Sequence, residues 1–183
     1  MINMSKLPNF KKYFFDFQNL INFDKKNLDE INNLYLEIKN LKKNNKILIF
    51  GNGGSSAIAS HFANDLSNIV KIKCLNFSDS SLITCLSNDY GYENWITRVL
   101  KLYATNGDLV ILISSSGMSK NMINAAKFIK KNKIKLACLT GFSSNNKLKK
   151  IGDISIWIKS EKYNYIENAH QVILLAIVDA FLK

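Results

Sequence analysis

Lys46-Ile47-Leu48-Ile49-Phe50-Gly51-Asn52-Gly53-Gly54-Ser55-Ser56-Ala57-Ile58-Ala59-Ser60-His61-Phe62-Ala63-Asn64-Asp65-Leu66-Ser67 is the stretch that decides the fold. Lys46 to Phe50 is a short apolar run with β-favouring Ile and Phe, bounded by glycines, and predicts a buried strand. Gly51 to Ser55 breaks that strand and opens an amphipathic helix over 54–68. A strand, a glycine turn and a helix N-terminus together form an anion site: the helix dipole is positive there, N–H groups point outward, and glycine lets a ligand approach the backbone. His61 and Asp65 follow at i, i+4 and share one helix face, spaced to hold a metal or a substrate hydroxyl. Neither GxGxxG nor GxxxxGK[ST] occurs, so the familiar dinucleotide and nucleotide loops do not apply.

Outward from this stretch, apolar strands alternate with helices. Strands are predicted at 71–77, 109–113, 134–140 and 154–158, with helices at 81–87, 93–104, 119–131, 146–150 and 164–182 between and after them. Asn88 to Tyr92 reads as a polar turn, and Ser78-Asp79-Ser80 as a helix cap. Two amphipathic helices precede the first strand. The first, 5–21, carries Phe10, Tyr13, Phe14 and Phe17 at helical spacing; the second, 28–41, has Asn27 and Glu30 placed as a variant capping box. An aromatic first helix of this kind fits burial against another subunit as well as against its own core. Continuous rather than alternating apolar strands indicate a parallel sheet covered on both faces, whose ligands bind at the carboxyl ends of the strands. Gly51–Ser55 and Ser114-Ser115-Ser116-Gly117-Met118-Ser119 both sit at such ends. Serine hydroxyls and backbone N–H groups without a fixed charge suit a sugar phosphate.

Bulk properties narrow the class. A chain of 183 residues with 47% hydrophobic content supports a core without staples and reads as one domain over 1–183. Three separated cysteines, Cys74, Cys85 and Cys138, without a CxxC pair, fit buried thiols in a reducing compartment. Neither a signal peptide nor an apolar span of roughly 18 residues is visible, which predicts a cytoplasmic protein with no membrane partner. The net charge of +11 points toward nucleic acid, but the lysines are scattered (Lys11, Lys12, Lys25, Lys26, Lys42, Lys43, Lys130, Lys131) and Arg98 is the one arginine. Arginine is the residue suited to bidentate phosphate and base contacts, so its scarcity argues against nucleic acid as a partner.

At Gly51-Asn52-Gly53-Gly54-Ser55, His61-Phe62-Ala63, Asn88-Asp89-Tyr90-Gly91, Ser114-Ser115-Ser116-Gly117 with Ser119, and Leu139-Thr140-Gly141, the chain resembles the SIS (sugar isomerase) family, in particular its phosphoheptose isomerase branch. The motifs occur in family order across about 46–175. The resemblance implies an α/β, three-layer αβα sandwich around a five-stranded parallel sheet, flavodoxin-like, with two N-terminal helices. It also implies a homotetramer with sites at subunit contacts, and isomerisation of sedoheptulose 7-phosphate or a related sugar phosphate. Carried over by position, Asn52, Gly53, Gly54 and Ser55 line the sugar phosphate site, Ser114, Ser115, Ser116 and Ser119 hold the phosphate, and Asn88 and Asp89 contact sugar hydroxyls. His61 and Asp65 would bind zinc, one ion per subunit, and Asp65 would also be the catalytic base.

The departures fall on the chemistry. Asp65 stands where the family has glutamate, Glu167 where it has glutamine, Ile69 where it has arginine, and Leu175 where it has a histidine that binds zinc and moves protons. Loss of an acid–base residue typically removes a factor of roughly 10² to 10⁴. His61, Asp65 and Glu167 remain as a His-plus-two-carboxylate zinc set, with either Asp65 or Glu167 as the base. His170, three residues after Glu167, reads as a packed, hydrogen-bonded histidine. Two functions follow: a phosphosugar isomerase with an atypical acid–base set, or a catalytically inactive phosphosugar-binding protein acting as a tetrameric scaffold, as some relatives do for the bacterial replication initiator. A subunit that completes a partner chain's site is a third.

Overall fold

The computed structural model describes residues 8–182. Its centre is a five-stranded, all-parallel sheet in the order β2-β1-β3-β4-β5, built from β1 (Ile47–Gly51), β2 (Cys74–Asn76), β3 (Leu109–Ser114), β4 (Lys135–Thr140) and β5 (Ile154–Trp157). Every residue of β1 and β3 is buried, as the unbroken apolar runs require of strands covered on both faces. Helices α1 (Phe10–Leu20), α2 (Lys25–Lys39), α3 (Gly54–Asp65) and α8 (Tyr163–Ala180) surround one face; α4 (Ser80–Tyr90), α5 (Trp95–Tyr103), α6 (Lys120–Lys131) and α7 (Lys147–Ile151) cover the other. This is the three-layer αβα sandwich expected.

Strand alternation divides the core. Ile47, Ile49, Ile111 and Ile113 point toward Phe62, Leu66, Ile166 and Leu174, while Leu48, Phe50, Val110 and Leu112 meet Trp95, Val99, Met122 and Ile129 on the opposite face. Strand order reverses between β1 and β3, where Gly51 pairs with Ile113. The loops after these two strands therefore leave the sheet side by side, at the point where open α/β sheets bind ligands.

Several local expectations change. The helix expected over 54–68 keeps α-geometry to Asp65 and widens into a π-helical turn at Leu66–Val70, ended by Lys71 at φ 66°. The first helix begins at Phe10; positions 5–7 of the expected helix lie outside the described residues. Asn27 and Glu30 do not form a capping box. The N-cap of α2 is Asp24, whose carboxylate accepts from Asn27 N–H at 2.8 Å. Glu30 Oε2 and Asn27 Oδ1 instead accept from the backbone N–H groups of Ser155 (2.9 Å) and Trp157 (3.4 Å) on the edge strand β5. Cys74 and Cys138 are buried as expected, whereas Cys85 is exposed. Among the described residues no helix is long and apolar enough to cross a membrane.

Candidate active site

The first loop is shaped by glycine at three successive demands. A Cβ on Gly51 would collide with the backbone of Ser55, Gly53 adopts φ 53° and ψ −123°, and a Cβ on Gly54 would strike the Glu167 carboxylate. The turn closes with Ser55 N–H donating to Asn52 O (3.1 Å) and Ser56 N–H to Gly53 O (2.9 Å), and no side chain caps α3. Ser55 is buried beneath it.

The second loop follows Ser114. Gly117 N–H donates to Ser114 O (3.0 Å) in a turn whose Gly117 sits at φ 62°. Backbone N–H groups of Gly141 and Leu148 clamp the carbonyls of Ser115 and Gly117 at 2.8 and 3.1 Å. Ser114 and Ser119 bring their hydroxyls 3.5 Å apart, and Ser116 Oγ accepts from Met118 N–H at 3.2 Å. Ser115 Oγ is buried without a partner among the described residues, and Ser119 opens α6 without its side chain capping it. An unsatisfied hydroxyl in the loop that leads into a three-turn helix, whose first N–H groups are left free by Ser119, is the chemistry of an anion cradle.

The two loops are tied together by side chains. Asn52 and Asn121, the second residue of α6, exchange reciprocal amide hydrogen bonds of 3.1 and 2.8 Å, and Tyr92 donates its hydroxyl to Asn52 Oδ1 at 3.0 Å. Sequence reasoning missed both partners of Asn52. One signal was available for Asn121: an amide followed at once by the buried Met122, on a helix that starts at the serine loop.

His61, Asp65 and Glu167 are only partly brought together. His61 Nε2 lies 3.3 Å from Asp65 Oδ2, and its Nδ1 lies 3.5 Å from Gln171 Nε2 on α8. Glu167 rests against Gly54 and shares with His61, Ala57, Asn168 and Gln171 a depression of about 370 Å³ between α3 and α8; Asp65 does not line it. Burial pushes the Glu167 carboxyl above the ordinary carboxylate range. A wider hollow of about 1080 Å³, lined by Phe142, Trp157, Lys159 and Tyr165, holds none of the site residues expected from sequence. Among the described residues no three His, Cys, Asp or Glu side chains converge as metal ligands. The donors of one chain, a His–Asp pair and a carboxylate turned to Gly54, thus do not fit the zinc set expected.

His170 is packed and hydrogen-bonded, as the sequence suggested. It is fully buried, and its Nε2–H donates to Thr140 O at 3.2 Å. Burial, opposed by that bond, pushes its pKa down to about 4, so the ring is neutral. Leu175 lies in an apolar groove with Phe14, Phe17 and Val172, between α1 and α8. Asn88 and Asp89 are not in a turn: they occupy the last turn of α4, exposed, with Asn88 Nδ2 donating to Asp89 Oδ1 at 3.1 Å. Tyr92, after the Gly91 that ends this helix, carries the connection from this segment to Asn52.

Comparison with known proteins identifies the family and bears out the fold. Residues 12–141 match the model of the SIS domain family. The phosphoheptose isomerase of Aliarcobacter butzleri is 37% identical over 141 residues, covering 74% of each chain. That of Buchnera aphidicola is 33% identical over 164 residues, covering 83% of this chain and 84% of the relative. The solved phosphoheptose isomerase of Neisseria gonorrhoeae superposes with a TM-score of 0.82 at 26% identity, over 94% of both chains.

Proposed function

Because the chain belongs to the SIS domain family, we propose that it is a phosphosugar isomerase that interconverts sedoheptulose 7-phosphate, or a related ketose phosphate, with its aldose isomer. The observation that carries this reading is the adjacency of the Gly51–Ser55 and Ser114–Ser119 loops at the strand-order reversal, with Glu167 facing the first of them. The isomerase names of the relatives favour catalysis over the scaffold reading.

The serine loop and the N-terminus of α6 hold the phosphate; the glycine loop leaves room for the sugar against the backbone. Isomerisation moves a proton between adjacent carbons. Glu167 takes the proton from C1 of the ketose and returns it to C2, while a second proton passes from O1 to O2. Of the two candidate bases, Glu167 lines the depression and has its basicity raised by burial, whereas Asp65 is engaged by His61 outside it. His61 lines the same depression, and its Nδ1, 3.5 Å from Gln171 Nε2, would carry the oxygen proton in place of the histidine that Leu175 replaces.

The reading extends to a cytoplasmic homotetramer. The oligomer is supported by α1, where Phe10, Phe14 and Phe15 are all more than 60% exposed and Phe14 lines the groove at Leu175. The deciding experiment follows aldose phosphate formation from sedoheptulose 7-phosphate by proton NMR, with light scattering on the same sample. Product formation that disappears in Glu167→Gln supports the reading; a folded protein that turns over no ketose phosphate at high concentration refutes it.

A further inference from the structure

We propose that Asn121 and Tyr92 are positioning residues that commit Asn52 to meeting its ligand as a hydrogen-bond donor only, which favours the oxygen that gains negative charge, the carbonyl on its way to the enediolate, over a neutral hydroxyl. The inference rests on the isomerase reading for its chemistry, and on hydrogen-bond accounting for its direction.

A backbone group cannot be flipped, so it fixes the orientation of the amide it bonds. Met122 N–H is a donor, and it points at Asn121 Oδ1 at 3.0 Å. The Asn121 oxygen is therefore identified, and its NH₂ must be the atom facing Asn52 at 2.8 Å. That atom of Asn52 is then the oxygen, which obliges Tyr92 to donate its hydroxyl to it at 3.0 Å. Asn52 Nδ2 in turn donates to Asn121 Oδ1 at 3.1 Å. An asparagine amide has two acceptor positions and two N–H donors. Both acceptor positions of Asn52 are now filled and one donor is used, which leaves one N–H for a ligand.

This matters at the strand-order reversal, beside the phosphate-binding loops. As the base removes the C1 proton, the C–H electron pair forms the C1–C2 double bond and the carbonyl π pair moves onto O2. A fixed donor is stronger toward that oxygen than toward the neutral carbonyl. Two hydrogen bonds donated into Asn52 Oδ1 polarise the amide and strengthen its remaining N–H further. Asn121 is buried and Tyr92 is half exposed, so the first is the rigid anchor and the second the accessible handle.

The test compares two probes by calorimetry: a sugar-phosphate hydroxamate, which mimics the enediolate, and the alditol phosphate of the same length, which lacks the carbonyl. Tyr92→Phe is expected to weaken the hydroxamate about threefold to tenfold, the weight of one hydrogen bond, and to leave the alditol phosphate unchanged. In turnover the same factor appears in kcat with KM unchanged. Asn121→Asp, which cannot donate to Asn52, shows the same selectivity with a larger loss if its circular dichroism is native. Equal weakening of both probes, or of neither, in Tyr92→Phe overturns the proposal. Selective hydroxamate loss without any turnover would sink the isomerase reading alone, and failure of both probes to bind the unmodified protein would sink both.

Discussion

The carboxylate of Glu167, on α8, rests against Cα of Gly54, in the first turn of α3, with no space for a side chain between them. Gly54→Ala puts a methyl group where that carboxylate lies and forces it aside. A small displacement of a reacting group typically costs roughly a factor of 10². We expect kcat for the ketose phosphate to fall at least tenfold, whereas Tm changes little because the atoms displaced are the free end of the Glu167 side chain. Steady-state kinetics beside thermal melts checks this; an unchanged kcat would mean that the position of Glu167 is irrelevant to turnover.

Glu167→Gln keeps the size of the side chain and removes the proton acceptor. Turnover should drop by roughly 10² to 10⁴ while the alditol phosphate still binds. Asp65→Asn, outside the depression, should lose less. The reverse ranking would make Asp65 the base.

Asp108 is a structural carboxylate. It is buried and accepts from Lys46 Nζ (2.7 Å), Thr105 N–H (2.8 Å), Lys46 N–H (3.0 Å) and Thr105 Oγ1 (3.0 Å), which joins the start of β1 to the start of β3. Burial pushes its pKa up, but these bonds outweigh burial and hold it below the ordinary carboxylate range. Asp108→Ala strands the Lys46 ammonium and two N–H groups, and should cost about 3 kcal/mol in urea unfolding. A cost below about 0.5 kcal/mol would show that water replaces the carboxylate.

The neutral His170 predicts acid sensitivity. Its folded pKa of about 4 lies below the unfolded 6.5, so the unfolded chain binds the extra proton between these values. Stability is therefore full above pH 6.5 and declines as pH falls toward 4, by about 3 kcal/mol in total. Asp108 acts in the same direction, but over the lower range in which carboxylates protonate. Urea midpoints measured from pH 7.5 to 4.5 should fall steadily, and His170→Gln should flatten the slope.

How far this was legible from sequence depends on the range of the interaction. β1 and β3 announce themselves because strands buried on both faces carry unbroken apolar runs, and the glycine loop because its backbone tolerates nothing else. Asn88-Asp89 has a turn's composition, yet α4 continues through it. Arg98 stacks 3.6 Å from the ring centroid of Tyr90, and Asn94 Nδ2 donates to the Tyr90 carbonyl at 2.9 Å. Both contacts come from the residues that follow, four and eight positions on, so the composition of 88–92 alone does not show them. Asn52 and Asn121 lie 69 positions apart, and only the sheet order makes them neighbours. That Glu167 shares a depression with His61 but not with Asp65 likewise depends on how α8 docks on α3, which helical spacing does not determine.

Asn27 and Glu30 occupy the outward N–H groups of Trp157 and Ser155, and on the opposite margin Ser67 Oγ both receives from Cys74 N–H and donates to its carbonyl at about 3 Å. Each border of the sheet is thus stoppered by side chains from its own molecule. A sixth strand finds the N–H groups of Ser155 and Trp157 and both main-chain groups of Cys74 already engaged, which hinders fibrillar, strand-by-strand accretion.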